Sequence, residues 1–120
     1  MRPSSVPKYI QIHQKPAAWF LNNLSAIRLK LAILRSGTID VSIVIPAYNE
    51  EQNILSTISS IADTISNYSI ELIIVDNNSK DLTKEYIIES GAKYVFEAKP
   101  GVENARTAGL NFASGKYIIS

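Results

Sequence analysis

Two short, nearly unbroken aliphatic runs constrain this chain more than any other feature: Val41-Ser-Ile-Val-Ile45 and Ile70-Glu-Leu-Ile-Ile-Val-Asp76. Runs this short and this apolar read as strands buried on both faces, the condition of a parallel sheet covered by helices. The intervening sequence agrees. Pro46 ends the first run. Asn49 stands where a helix could be capped, and Gln52, three residues later, completes a capping box. Ile54, Ile58, Ile61 and Ile65 then follow on one helical face. After the second run comes a polar turn, Asn77-Asn78-Ser79-Lys80, and a helix expected over 81–90, stopped by Gly91. Residues 93–98 read as a third strand, Pro100-Gly101 as a turn, 102–114 as a third helix and 116–120 as a fourth strand. The expected fold is α/β: a parallel βαβαβαβ sheet with right-handed crossovers. Its ligands belong beyond the carboxyl ends of the strands.

Upstream the rhythm differs. Phe20, Leu24, Ile27, Leu31 and Leu34 step by four and three and line one face of an amphipathic helix that stops near Arg35-Ser36-Gly37-Thr38. A leader over 1–39 and a domain over 40–120 are therefore expected. Their charges differ: residues 1–39 hold six basic and no acidic side chains, whereas 40–120 hold six basic and eleven acidic ones, a net of −5. A domain of that sign is not a nucleic-acid binder. The helix around 17–35 has three readings: packing on the domain, peripheral contact with an anionic membrane surface, or a mitochondrial presequence. The stretch 17–34 is too interrupted by Asn22, Asn23, Arg28 and Lys30 to span a bilayer. The expected location is cytoplasmic, at most at the cytoplasmic face of a membrane.

Three strand-end loops carry the candidate chemistry. The first holds Pro46, Ala47, Tyr48 and Glu50. Tyr48 offers a flat ring for a base or ribose, and the helix that follows offers free N–H groups to an anion. Ordinary loop chemistry explains the same residues. The second holds Asp76, an acid costly to bury unless it is paired or meets a ligand; it can accept from a base or ribose, or anchor the turn behind it. The third holds Arg106, whose planar fork suits a diphosphate; a surface ion pair with Glu103 is the alternative. Other chemistries are excluded. The chain has no cysteine, one histidine (His13), no glycine-rich dinucleotide loop and no P-loop.

The three blocks together, Val41-Ser-Ile-Val-Ile-Pro-Ala-Tyr-Asn-Glu50, Leu72-Ile-Ile-Val-Asp-Asn-Asn-Ser79 and Gly101 to Ala105-Arg106 to Gly109, resemble family 2 glycosyltransferases in order and spacing. The resemblance covers about 40–120 and implies the nucleotide-binding half of a GT-A, Rossmann-like fold. It implies an inverting transfer of a glycosyl group from a nucleoside diphosphate sugar to an unknown acceptor. Pro46, Ala47, Tyr48, Glu50, Asp76 and Arg106 would surround the nucleotide. It also implies a divalent metal, Mg²⁺ or Mn²⁺, held by an Asp-x-Asp motif that the family places just after Tyr-Ile-x-x. Ser120 stands at or just before that point, so the metal ligands are expected outside this sequence, and the chain alone is expected to be inactive. Thr107 departs from the Asn frequent at that position. The rival expectation is a non-catalytic binding domain or a receiver-like domain phosphorylated on Asp76.

Overall fold

A computed structural model describes residues 15–120. Arg2, Lys8 and His13 of the leader lie outside them. The elements are α1 (Ala17–Leu21), α2 (Leu24–Leu34), β1 (Val41–Ala47), α3 (Ile54–Ala62), β2 (Ile70–Asp76), α4 (Thr83–Ser90), β3 (Lys93–Phe96), α5 (Val102–Phe112) and β4 (Tyr117–Ile119). The four strands form one parallel sheet in the order β3-β2-β1-β4. The expected strand–helix alternation is present throughout.

The order reverses after β3, and the helices divide accordingly. Leu72 and Ile74 of β2 face a core made with Phe20, Ile27 and Leu31 of α1–α2, Ile54, Leu55 and Ile58 of α3 and Ile87 of α4. Ile73 and Val75 face the other way, into a smaller core with Val44, Val95 and Ala105 of α5. β2 is buried along its whole length, as its uninterrupted apolar run requires. α5 lies close to the sheet because Gly109 has no side chain. A Cβ there would run into Val44 Cγ1 and come within 2.9 Å of Val75 Cγ2.

The leader's stripe is spent on this core. Phe20, Ile27, Leu31 and Leu34 are buried and Leu24 packs beside them. Each full burial of this kind contributes about 1.5–3 kcal/mol. The single amphipathic helix is in fact two, broken at Asn22–Asn23, and the boundary near 35–38 separates chain segments but not cores. Among the described residues no helix is long and apolar enough to cross a membrane.

Several boundaries differ from expectation. β1 continues through Pro46, which sits opposite Val75, to Ala47. Ala47 faces β2, whose continuation Asn77 donates its N–H to the Ala47 carbonyl at 2.8 Å. Pro46 therefore presents its edge to the β4 side, where pairing covers only residues 41–43. A missing N–H costs nothing there. Asn49 does not cap α3: its φ is +50° and the helix begins at Ile54, behind a turn in which Asn53 and Ile54 donate to the Glu50 carbonyl. Ile65 lies past the end of α3 and is almost fully exposed. β3 stops at Phe96, α4 starts at Thr83, and α5 ends at Phe112.

At the amino end of the sheet a buried carboxylate ties three elements together. Glu71 Oε2 accepts from Ser42 Oγ (2.6 Å) and from the N–H and Oγ of Ser114 (both 2.8 Å), while Ser42 Oγ accepts from the Gly115 N–H (2.8 Å). Burial pushes the Glu71 carboxyl up, but these hydrogen bonds outweigh it and hold the group below the usual carboxylate range.

Candidate functional site

The carboxyl ends of β1, β2 and β3 are level. Ala47 is in register with Asp76, and Asp76 with Phe96. The loops leaving them are stitched together. Between the first and second, Asn49 N–H donates to Ser79 Oγ and Lys80 N–H to Asn49 Oδ1, both at 2.8 Å. Glu50 N–H donates to Thr83 Oγ1 (2.8 Å), and Leu82 N–H donates to Glu51 Oε1 (2.9 Å). Asp81 accepts from Thr83 N–H (2.9 Å) and Glu51 N–H (3.2 Å). Burial raises the Asp81 carboxyl, yet the hydrogen bond from the Thr83 hydroxyl, with these N–H bonds, brings it below its ordinary value. Between the second and third, Asn77 Nδ2 donates to the carbonyls of Glu97 and Lys99 (both 2.9 Å), and Gly101 N–H donates to Asn77 Oδ1 (3.1 Å).

Two non-glycine residues with positive φ, Asn49 (+50°) and Asn78 (+66°), both fall in this rim. Asn tolerates the left-handed region better than most residues, and such conformations gather at sites where geometry is over-determined.

Asp76 is only 2% exposed. Oδ1 accepts from Ser79 N–H (2.9 Å) and Oδ2 from the Tyr94 hydroxyl (2.8 Å). Burial, then Asp76 itself, raises the Tyr94 phenol well above its ordinary value, so it stays a donor. Of the two roles open to Asp76, anchoring the turn is the one its contacts fill. Ala47 is also buried, as a backbone acceptor for the second loop. Pro46 is half-buried, Glu50 is exposed, and Tyr48 is 57% exposed. Arg106 stands on the second turn of α5, its side chain 39% exposed and paired with Glu103 at 2.6 Å. The structure thus joins Pro46, Ala47, Tyr48, Glu50 and Asp76 through one stitched rim. Arg106 is held on the helix that enters it, with its guanidinium turned to Glu103.

Sequence reasoning placed Asn49, Asn77 and Ser79 in the strand-end loops without giving them a stitching role, and it missed Thr83 and Tyr94 as parts of the site. The polar turn 77–80 was the signal for Asn77 and Ser79; Tyr94, on a strand, gave none. A shallow depression of about 430 Å³ lies in the rim, lined by Asn49, Glu51, Gln52, Asn53, Lys80 and Asp81. A larger cleft of about 790 Å³ lies at the opposite end of the sheet, beside Asp40 and Ser69. Topology favours the rim over the larger cleft, because the switch in strand order opens a crevice at the carboxyl ends.

A 3-2-1-4 parallel sheet with three loops gathered at its carboxyl edge defines a Rossmann-like nucleotide-binding unit. The sequence model of glycosyl transferase family 2 matches residues 42–120, and the chain belongs to that family. It is 36% identical over 91 residues to the minor teichoic acid biosynthesis protein GgaB of Bacillus subtilis, covering 70% of this chain and 10% of that protein. It is 31% identical over 84 residues to a dolichol-phosphate mannosyltransferase of Pyrococcus furiosus, covering 66% and 24%. The crystal structure of glucosyl-3-phosphoglycerate synthase from Mycobacterium tuberculosis, in complex with Mn²⁺, UDP-glucose and phosphoglyceric acid, aligns with a TM-score of 0.59 at 30% identity. That alignment covers 79% of this chain and 35% of the synthase. The fold is thus that of the GT-A nucleotide-binding half, and the chain spans 10–35% of the length of these relatives. The receiver-like alternative fails on the family and on Asp76, whose carboxylate is buried with both oxygens engaged.

Proposed function

We propose that the carboxyl rim of the sheet holds the nucleoside diphosphate part of a nucleotide-sugar, and that the protein transfers its glycosyl group to an acceptor. One observation carries this: three strand-end loops are hydrogen-bonded into a single surface at the carboxyl ends of β1, β2 and β3. In support, the synthase that this chain resembles is crystallised with UDP-glucose.

The roles follow from exposure. Tyr48 offers a face on which a base or ribose can stack. Asp76 and Asn77 form the floor by fixing the second and third loops. Arg106 receives the diphosphate by releasing Glu103. That exchange is cheap, since an exposed pair of this spacing is worth about 0.3–0.5 kcal/mol and a charge-assisted contact to phosphate is stronger. The relative's structure contains Mn²⁺. Among the described residues, no group of three or more His, Cys, Asp or Glu side chains could hold a metal ion. The donor contacts proposed for these residues are therefore those of side chains and backbone.

Titration calorimetry of the purified chain with UDP and other nucleoside diphosphates tests the reading. Tyr48→Ala and Arg106→Ala are each expected to weaken binding by about tenfold, from a lost stacking or charge-assisted contact. Absence of binding, or unchanged affinity in both variants, would remove the rim from consideration.

A further inference from the structure

α4 ends without a cation of its own. Its last turn, Ile87-Ile-Glu-Ser90, holds an acid and no base, whereas the carboxyl end of a helix favours positive charge. A helix of eight residues is also marginal without outside support. The support comes from α2. Arg28 donates to the Glu89 carbonyl (2.8 Å) and Arg35 to the Gly91 carbonyl (3.2 Å). Ser90 Oγ donates to the Ile87 carbonyl (2.6 Å) and Gly91 N–H to that of Ile88 (3.2 Å), so the carbonyls of 87, 88 and 89 all have partners. The body of α2 stands close by. A Cβ on Gly91, whose φ is +88°, would lie 3.4 Å from Arg28 Cγ and 3.6 Å from Arg28 Cα. Ile27 and Leu31 of α2 share one core with Ile87 of α4. The other end of α4 is the rim itself. Leu82 N–H donates to Glu51, and the fully buried Thr83 accepts from the Glu50 N–H. A single helix of about two turns, roughly 12 Å long, therefore runs from the leader to the rim.

We propose that the leader braces the rim: Arg28 and Arg35 are positioning residues that cap α4 from α2 and so hold Leu82 and Thr83 against Glu50 and Glu51. Both arginines lie outside the family match, which begins at residue 42. Their contacts are charge-assisted, the stronger kind of hydrogen bond, and they meet the helix at the end where its dipole is negative. Without them the last turn of α4 frays. In a helix this short, fraying at one end reaches the other, because each turn is held largely by its neighbour. Thr83 then loses its fixed place, and with it the bond that joins the first loop to the second. The consequence for a ligand rests on the nucleotide reading above; the brace itself does not.

Amide hydrogen exchange of the full chain, followed residue by residue by NMR, tests the brace without any ligand. In Arg28→Ala/Arg35→Ala the amides of Ile87 and Ile88 in α4, and of Glu50 and Leu82 in the rim, should exchange roughly tenfold faster, two cation contacts to a helix end being lost. Those of Ile73 and Ile74 in β2 should keep their rates. Arg28→Lys/Arg35→Lys leaves a cation at the helix end and should recover most of the protection. Lys30→Ala, which removes only the exposed pair with Asp63 at the end of α3, should change none of it. In parallel titrations the Ala double variant should bind UDP several-fold more weakly than the native chain, with the Lys variant between them. Unchanged exchange at Glu50 and Leu82 would overturn the proposal by separating the leader from the rim. Acceleration that extends equally to Ile73 and Ile74 would overturn it too, by making the arginines general supports of the fold. So would an unchanged UDP affinity in the Ala double variant. A native chain that binds no UDP would instead remove the nucleotide reading, and the exchange rates would then decide the brace alone.

Discussion

Asp76 and Arg106 both looked like ligand contacts from their positions, and the structure separates them. Asp76 is sealed beneath the rim with its two oxygens taken by Ser79 and Tyr94, whereas Arg106 sits in a half-open ion pair. The difference is measurable by urea unfolding. Asp76→Ala strands a half-buried phenol and a backbone N–H and is expected to cost about 1–3 kcal/mol. Arg106→Ala loses only an exposed pair and should change stability by no more than about 0.5 kcal/mol. Equal stability of the two variants would return Asp76 to the role of a free ligand group. The acid at a strand end was legible in the sequence. Its partners were not: Ser79 lies in a turn that many geometries could satisfy, and Tyr94 reaches Asp76 only because β3 pairs beside β2.

Among the elements, strands were the easier to read, because burial on both faces writes a continuous apolar run. Helix starts were read badly. Asn49 has the chemistry of a cap, but its side chain serves the neighbouring loop and its backbone is left-handed, so α3 begins several residues later. Leader packing against the domain was one of the open alternatives, and the burial of Ile27 and Leu31 settles it. The buried tie at Glu71 makes a pH prediction. A carboxyl whose folded pKa lies below its unfolded value adds stability above the unfolded value, about 4.3, and that stability is lost as pH falls through the folded one. The urea midpoint of the native chain should therefore fall as pH drops below about 4.3. Glu71→Gln should lower the midpoint at neutral pH and flatten this acid limb. An unchanged acid limb would show that Glu71 does not control it.

For the whole molecule, alternation of elements pointed to a parallel sheet, but strand order lay beyond it. Placing β4 beside β1 depends on which face α5 covers, and that follows from Gly109 and the small Ala105 and Ala108 only once the packing is seen. The same arrangement leaves Tyr117, Ile118 and Ile119 exposed on a strand paired along one side only. An uncovered apolar strand edge recruits other chains. Sedimentation velocity on the purified chain is expected to show concentration-dependent association, weakened by Ile119→Lys; a monomer across the micromolar range would count against it.

Pro46 gives this edge a limit. Without an N–H to offer on that flank, β1 lacks one donor towards the β4 side at Pro46. The imino acid inside an apolar run thus withholds a donor from the flank of the sheet where the winding changes direction, and does so without loosening the ladder on its other side.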